Sequence, residues 1–339
     1  MQTQSPISSR LKQLSLEELG GLQVVTASKA PQEVLRTPAA VYVITQEDIQ
    51  RSGATNLPDI LRLAPGVEVA QIDSSKYSVG IRGFGSRLAR AVLVLIDGRS
   101  VYTPLFAGVY WEMQDTLIND IDRIEIIRGP GATIWGSNAV NGVINIITKS
   151  SRETQGTMIR AGGGNVEQGF ASVRHGGLYR DASYRVWARG FTRGSQFHPD
   201  ARNFDDWRRG QFGFRTDMSL GYSDTLSVMG DYYTSDVGQS LNVSTYSPPA
   251  ITAIDRNVAL SGGNVVAQWK RVLDANSDIT VQAYFDRTNR KDINFQEVRN
   301  TFDADFVHHI NRSWFDFSWG AGIRTSPSEF TRVVPTEIG

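Results

Sequence analysis

Beyond Lys149 nearly every segment of the chain alternates polar and apolar residues, and this period of two restricts it to β-structure with one apolar and one polar face. In Gln211 to Leu220 the apolar set is Phe212, Phe214, Met218 and Leu220, while Gln211, Arg215, Asp217 and Ser219 take the other face. Leu226, Val228 and Tyr232 alternate with Ser227, Asp231 and Ser235. Ile279, Val281, Ala283 and Phe285 alternate with Thr280, Gln282, Tyr284 and Asp286. Phe302, Ala304 and Phe306 stand against Asp303 and Asp305, and Phe315, Phe317, Trp319, Ala321 and Ile323 against Asp316, Ser318 and Arg324. Each segment is about ten residues long, the length of a tilted strand crossing a bilayer.

The connections repeat the theme. Short turns at Tyr179 to Asp181, Tyr222 to Thr225, Asp274 to Asp278 and Asn311 to Ser313 are interleaved with longer loops around Gln196 to Arg208 and Leu241 to Ala259. Outer-membrane barrels have this asymmetry, with short turns toward the periplasm and long loops outside. Soluble antiparallel sandwiches also alternate; strand length and loop asymmetry favour the barrel. About nine strands are expected, an odd number with open edges, and such edges expose unpaired backbone to lipid, so the barrel is expected to be incomplete. The longest purely apolar run, Ala91 to Ile96, is far too short for a spanning helix.

The residues up to Lys149 mix short helices with apolar strands. Val41 to Ile44 reads as a buried strand, Thr45 as a helix N-cap with Asp48 three residues on, and Gly53 as the stop after about Arg51. A second helix is expected from Thr55 or Asn56, with Pro58 in its first turn and Leu57, Ile60, Leu61 and Leu63 on its apolar face; it ends at Ala64, before Pro65 and Gly66. Strands follow at Val67 to Gln71, Ser78 to Arg82 and Val92 to Ile96, the last turning at Asp97 and Gly98 into Arg99 to Tyr102. Ile121, Ile124, Ile126 and Ile127 read as a further strand, Gly129-Pro130-Gly131 as a sharp corner, and Val143 to Ile147 as another apolar strand. The expected fold class is an α+β domain followed by antiparallel transmembrane β-barrel strands.

Composition and motif spacing remove several function classes. Lys plus Arg and Asp plus Glu are each 35, so no excess of positive charge offers a nucleic-acid surface. The absence of cysteine excludes disulfides, thiolate metal sites and a cysteine nucleophile. The glycines of Gly129-Pro-Gly-Ala-Thr-Ile-Trp-Gly are not followed by Gly-Lys-Ser/Thr, and Pro130 lacks the N–H that a phosphate loop needs. Gly83-Phe-Gly lacks dinucleotide spacing, and Gly162 to Gly164 falls between two alternating strands as a hairpin loop. No nucleophile elbow or zinc motif is present, and His308 and His309, as strand neighbours, point to opposite faces. Neither enzyme activity, cofactor nor bound metal is expected. Met1 to Arg10 is polar and lacks the basic-then-apolar order of an export signal.

Five segments then occur in a fixed order: Thr37-Pro-Ala-Ala-Val-Tyr-Val-Ile-Thr, Leu61-Arg-Leu-Ala-Pro-Gly-Val, Ile81-Arg-Gly-Phe, Val94-Leu-Ile-Asp-Gly-Arg, and the long run Ile121-Asp-Arg-Ile-Glu-Ile-Ile-Arg-Gly-Pro-Gly-Ala through Ile147-Thr-Lys. Over about Gln23 to Lys149 the chain resembles the plug domain of TonB-dependent outer-membrane receptors. The resemblance implies an N-terminal segment at 1–36, a plug at 37–150 and a partial barrel at 151–339, from a plugged barrel of about 22 strands. It implies that Leu22, Gln23, Val24, Val25, Thr26, Ala27 and Ser28 form the TonB box, offered to TonB as an added strand. The β-propensity of Val24, Val25 and Thr26 suits that role, an irregular entry segment being the alternative.

The resemblance further implies that Arg82 and Arg128 belong to a buried charge cluster whose barrel glutamates lie beyond Gly339. Gly136 and Gly142 read either as points of close backbone approach in a crowded lumen or as turn glycines. On loops expected to face outward, Tyr77, Arg87, Arg90, Phe106, Tyr110 and Trp111 are candidate ligand contacts, because aromatics and arginines suit aromatic, anionic chelates; packing of plug against barrel is the competing role. The implied function is TonB-dependent uptake of a scarce chelate across the bacterial outer membrane, ferric siderophores being the commonest class. Cobalamin or another ligand, and a truncated or non-functional receptor, are the alternatives. The implied partners are TonB with its ExbB/ExbD energising complex, outer-membrane lipid with lipopolysaccharide, and the chelate. A signalling receptor would carry an extra N-terminal domain, and the residues ahead of Leu22 are too few for one.

Overall fold

The computed structural model describes residues 23–26, 32–33, 39–83, 85, 92–129, 135–136, 138–244 and 251–332. The chain divides into two compact units, Met1–Ala70 with Tyr77–Lys149, and Gln71–Lys76 with Ser150–Gly339.

The first unit is α+β. Strands β1 (Gln23–Val24) and β2 (Gln32–Glu33) share a short antiparallel ladder. Strand β3 (Val41–Thr45) runs into helix α1 (Gln46–Ser52), where the Thr45 hydroxyl accepts the Asp48 N–H at 3.3 Å and the Asp48 carboxylate accepts the Thr45 N–H at 3.0 Å. This reciprocal cap starts the helix, and Gly53, at φ 69°, ends it. Helix α2 (Leu57–Leu61) is capped by Asn56, whose Oδ1 accepts the Asp59 N–H at 2.9 Å. It is shorter than expected because Arg62, Leu63 and Ala64 bond back to Asp59, Ile60 and Leu61, a tightened last turn ahead of Pro65.

Strands β4 (Val67–Gln71) and β5 (Tyr77–Ile81) pair with each other. The remaining strands, β6 (Val92–Ile96), β7 (Arg99–Ser100), β8 (Ile121–Arg128) and β9 (Gly142–Thr148), join β3 in a five-stranded sheet of order β3-β8-β9-β6-β7, with β6 and β9 parallel. Both faces are covered, which is why its strands read as near-continuous apolar runs. On one face Ile44, Ile124, Ile126, Ile144 and Ile146 pack with Ile49 of α1 and Leu57, Ile60 and Leu61 of α2. On the other, Leu93, Leu95, Ile127, Val143 and Ala139 form a second cluster, flanked by Val41 and Trp135. A Cβ on Gly142 would lie 2.4 Å from the Ile127 carbonyl oxygen and 2.6 Å from Ile81 Cδ1, so β9 can start there only without a side chain. Gly136, at φ 86° in open space, serves the turn instead.

The second unit is an antiparallel sheet. Strands β10 (Gly156–Gly162), β11 (Glu167–Tyr179), β12 (Ala182–Arg193), β13 (Trp207–Leu220), β14 (Asp224–Ser244), β15 (Ile251–Asp274), β16 (Ser277–Lys291), β17 (Phe295–Arg312) and β18 (Phe315–Thr325) pair in chain order. A tenth strand, β19 (Ser328–Arg332), continues along β17 where β18 stops. The break falls at Pro327, which has no N–H to give a ladder. The register sets Phe212 across from Tyr232 and Phe285 across from Phe302, with ring centroids 5.6 and 4.8 Å apart. Phe212, Phe214, Tyr232, Phe302, Trp319 and Ile323 are exposed on one face, while Arg209, Gln211, Tyr233, Ser235, Asp286 and Arg290 are buried on the other.

Turns fall close to the expected places, and residues 194–206 form a long loop. The loop expected from Leu241 to Ala259 is instead mostly ladder, pairing out to Ser244 and Ile251. Its polar residues do not interrupt the strands because the neighbouring backbone satisfies theirs. Strands β14 and β15 thereby reach 21 and 24 residues.

Gly142→Ala is expected to destabilise the first unit by about 1–3 kcal/mol through overpacking. The urea midpoint for proteolysis of that unit in detergent-solubilised full-length protein checks this; an unchanged midpoint contradicts the close approach.

Candidate functional site

On the second face of the five-stranded sheet, Val43, Glu125, Asn145 and Leu95 line up in one row across β3, β8, β9 and β6. Glu125 and Asn145 interrupt two otherwise apolar runs, and the chain after β1 covers them. One Glu125 carboxylate oxygen accepts the N–H groups of Val25 and Thr26, each at 2.9 Å, and also the Thr26 hydroxyl. The other oxygen accepts from Arg123 Nε at 2.8 Å. Asn145 Nδ2 donates to the Thr26 hydroxyl oxygen at 3.0 Å, and the Trp135 indole donates to the Thr26 carbonyl. Val24, Thr26 and Glu125 are fully buried.

A buried carboxylate is tolerated only when its lone pairs and charge are met. Here donors reach both oxygens, and Arg123 supplies the opposite charge. Burial works against the Arg123 cation, yet the Glu125 and Asp122 carboxylates hold its pKa above the ordinary arginine value. Hydrogen bonds to a charged group are worth about 1.5–3 kcal/mol each. These contacts, more than the short β1–β2 ladder, fix the segment. Of the expected TonB box, Gln23, Val24, Val25 and Thr26 lie here, while Leu22, Ala27 and Ser28 fall outside the described residues.

Arg82 and Arg128 meet at the turn after α2. The Arg82 N–H donates to the Gly66 carbonyl at 3.0 Å, and Arg128 Nη1 donates to the Pro65 carbonyl at 3.1 Å. The Arg128 stem lies over Gly66, and the Arg82 guanidinium lies beside Gly129. Arg82 adopts φ 57°, a left-handed backbone that costs an arginine on the order of 1 kcal/mol. Among the described residues no carboxylate pairs with either side chain, and Arg128 Nε is buried without a hydrogen-bond partner.

Of the candidate ligand contacts, Phe106, on a loop closed by the Thr103–Gly108 bridge, meets Tyr110 just beyond it edge to face at 4.8 Å. Tyr77 and Trp111 sit in the hydrophobic core, where the Tyr77 hydroxyl accepts the Asn56 amide at 3.4 Å; their rings pack inside the domain. Arg87 and Arg90 lie outside the described residues.

Two functional-looking carboxylates went unnoticed in the sequence. Glu125 did carry a signal: a charge inside an isoleucine run, in register with an asparagine inside the next. Asp205, in the 194–206 loop, carried none. Fully buried, it accepts the Ser74 N–H at 2.7 Å and the Gln196 N–H at 3.2 Å, and lies 3.1 Å from His198 Nε2. The Ser74 hydroxyl donates to the Asp205 carbonyl. Beside it, Asp73 forms a buried ion pair with Lys76 at 2.7 Å. Asp73, Ser74, Ser75 and Lys76, which lead into Tyr77, are buried as well.

Residues 33–143 match the family described as TonB-dependent receptor plug domain. The chain carries a TonB-dependent receptor plug. The antiparallel strands that follow resemble in fold the barrel strands of solved receptors of this kind. The chain is 31% identical over 239 residues to the vitamin B12 transporter BtuB of Vibrio vulnificus, covering 61% of this chain and 38% of that protein. It is 37% identical over 155 residues to BtuB of Vibrio cholerae, covering 45% of this chain and 24% of that protein. The chain thus spans well under half the length of these relatives. The ferric yersiniabactin uptake receptor FyuA of Yersinia pestis shares the fold at a TM-score of 0.69 and 13% identity, over 87% of this chain and 49% of that one. The siderophore receptor PiuA of Acinetobacter baumannii does so at 0.68 and 16%, over 92% and 49%.

Asp205→Ala would leave the Ser74 and Gln196 N–H groups without their acceptor, at about 1–3 kcal/mol for each buried group. Faster proteolytic cleavage within 194–206 of the full-length receptor is the expected result, and an unchanged cleavage rate would count against the clasp.

Proposed function

We propose that the full-length receptor takes up a scarce chelate across the bacterial outer membrane, driven by TonB with its ExbB/ExbD complex and without covalent chemistry. The observation that carries this reading is a plug domain joined to antiparallel strands whose exposed face is aromatic and aliphatic. So continuous an exposed apolar face belongs against lipid, including lipopolysaccharide, and the polar face then lines the lumen. Ligand binding outside and energy from the inner membrane would act together to remodel the plug. Arg82 and Arg128 are proposed to await barrel carboxylates as a charge cluster, a role that suits the unpartnered Arg128 Nε.

The first ligand reading is a ferric siderophore, with Phe106 and Tyr110, joined by Arg87 and Arg90, as contacts for an aromatic, anionic chelate. Tyr77 and Trp111 would support that site from within. The second is cobalamin, favoured by the vitamin B12 transporters among the sequence relatives.

The test is uptake by an iron-limited strain carrying the full-length gene, offered labelled catecholate and hydroxamate siderophores and labelled cobalamin. Accumulation of one class that disappears without TonB is expected; no accumulation of any would end the chelate reading. With the transported ligand, Phe106→Ala is expected to raise the half-saturating concentration roughly tenfold, as loss of a central aromatic contact does. Phe214→Arg is expected to destabilise the barrel by about 2–4 kcal/mol if that face meets the bilayer. Heat-modifiable migration of the folded receptor reports it, and an unaltered transition would place the face elsewhere.

A further inference from the structure

We infer that Asp217 is a positioning residue that bolts the start of the second unit, Ser151–Thr154, to its own strands, and so gives the plug a fixed C-terminal end while the rest of it is remodelled. The inference rests on the proposed TonB-driven uptake. Ser183, Asp217 and Ser227 stand in one row across β12, β13 and β14. The Ser151 N–H and hydroxyl both donate to one Asp217 oxygen, each at 2.6 Å, and the Ser227 hydroxyl donates to the other at 2.6 Å. Arg215 Nε, 3.0 Å away, supplies the opposite charge. The Ser151 and Ser183 hydroxyl oxygens lie 2.7 Å apart, and Arg152 Nη2 donates to the Ser219 hydroxyl at 2.7 Å.

The segment is seated as well as bonded. It forms one 3-10 turn, opened by Ser150 and Glu153, whose carboxylate accepts the Ser150 N–H at 2.9 Å. It lies flush on β11, where a Cβ on Gly176 would run into the Thr154 carbonyl. Ser151, Thr154 and Ser183 are buried. One residue upstream, the Lys149 N–H bonds to the Asp120 carbonyl at 2.8 Å within the first unit. Consecutive residues are thus fixed, one in each unit, and the chain between them has no slack. Hydrogen bonds to a charged carboxylate are about twice as strong as neutral ones, and those that meet on Asp217 reinforce one another. A pull that reaches Ser150 therefore ends there, and remodelling is confined to the residues before it.

The chain contains no cysteine, so thiols introduced into a full-length receptor freed of any others report on single positions. The pair S151C/S183C, placed where two hydroxyls touch, should join under a mild oxidant; failure to join contradicts the contact. Uptake of labelled cobalamin and of labelled catecholate and hydroxamate siderophores is then compared for the joined and the reduced pair. Equal rates are expected. Uptake lost on oxidation and regained on reduction would mean that the segment leaves its strands during transport, and would overturn the inference. In detergent, T154C should react slowly with a maleimide. D217N should raise that rate about tenfold, the factor that goes with hydrogen bonds to a charged group, and S227A should raise it less. S227A keeps the carboxylate, so the anchor stays testable where D217N fails to assemble. An unchanged rate in both variants, or a parallel rise at the buried core position A64C, would overturn it. D217N should also lower uptake, and joining S151C to S183C in that background should restore it; a rate that stays low counts against a positioning role. Where the unaltered receptor takes up none of these ligands, the proposed function fails, and labelling alone decides the anchor.

Discussion

A backbone N–H or C=O taken out of water must find a partner, and each part of this structure answers that demand in its own way. In the second unit the antiparallel ladder supplies partners from strand to strand, and the resulting register sorts aromatic and aliphatic side chains to one face and charged ones to the other. In the five-stranded sheet the ladder does the same between two covered faces. Where the chain leaves a strand but stays buried, a carboxylate takes over: Glu125 for Val25 and Thr26, Asp205 for Ser74 and Gln196. The two acids stand in for missing strands.

Most of the fold was legible because local signals agreed with the burial that later enforced them. Thr45 and Asp48 announced a cap, Gly53 a stop, and the isoleucines of β8 and β9 two apolar strands. The alternation of Phe212 and Phe214 with Gln211 and Arg215 announced a two-faced strand. The misjudged region, Leu241 to Ala259, shows the weakness of polarity as a loop signal. Polar residues are frequent there, yet residues 241–244 and 251–259 pair across the β14–β15 ladder, and strand formation depends on that partner as much as on side-chain character.

The site was less legible, and the reason is distance along the chain. Thr26 is about a hundred residues or more from both Glu125 and Asn145, and no spacing rule connects it to them. Glu125 could have been singled out as an acid in an apolar strand, since such a charge requires a partner, but the partner could not have been named. The aromatic candidates failed to separate for a related cause. Tyr77 and Trp111 look in sequence like Phe106 and Tyr110, and only packing distinguishes rings that fill a core from rings that line a loop.

Strand order also has a mechanical meaning. In β3-β8-β9-β6-β7 the strand nearest the N-terminus stands at the sheet edge, while β8 and β9 each have neighbours on both sides. Tension applied at Gln23 first loads the short β1–β2 ladder, then the contacts around Thr26, then an edge strand that can be drawn off β8 one bond at a time, as a zipper opens from its tab. The centre of the sheet yields differently, because β9 is tied to β8 and β6 together and its bonds would have to shear in concert. The plug is soft toward its own N-terminus and stiff across its middle.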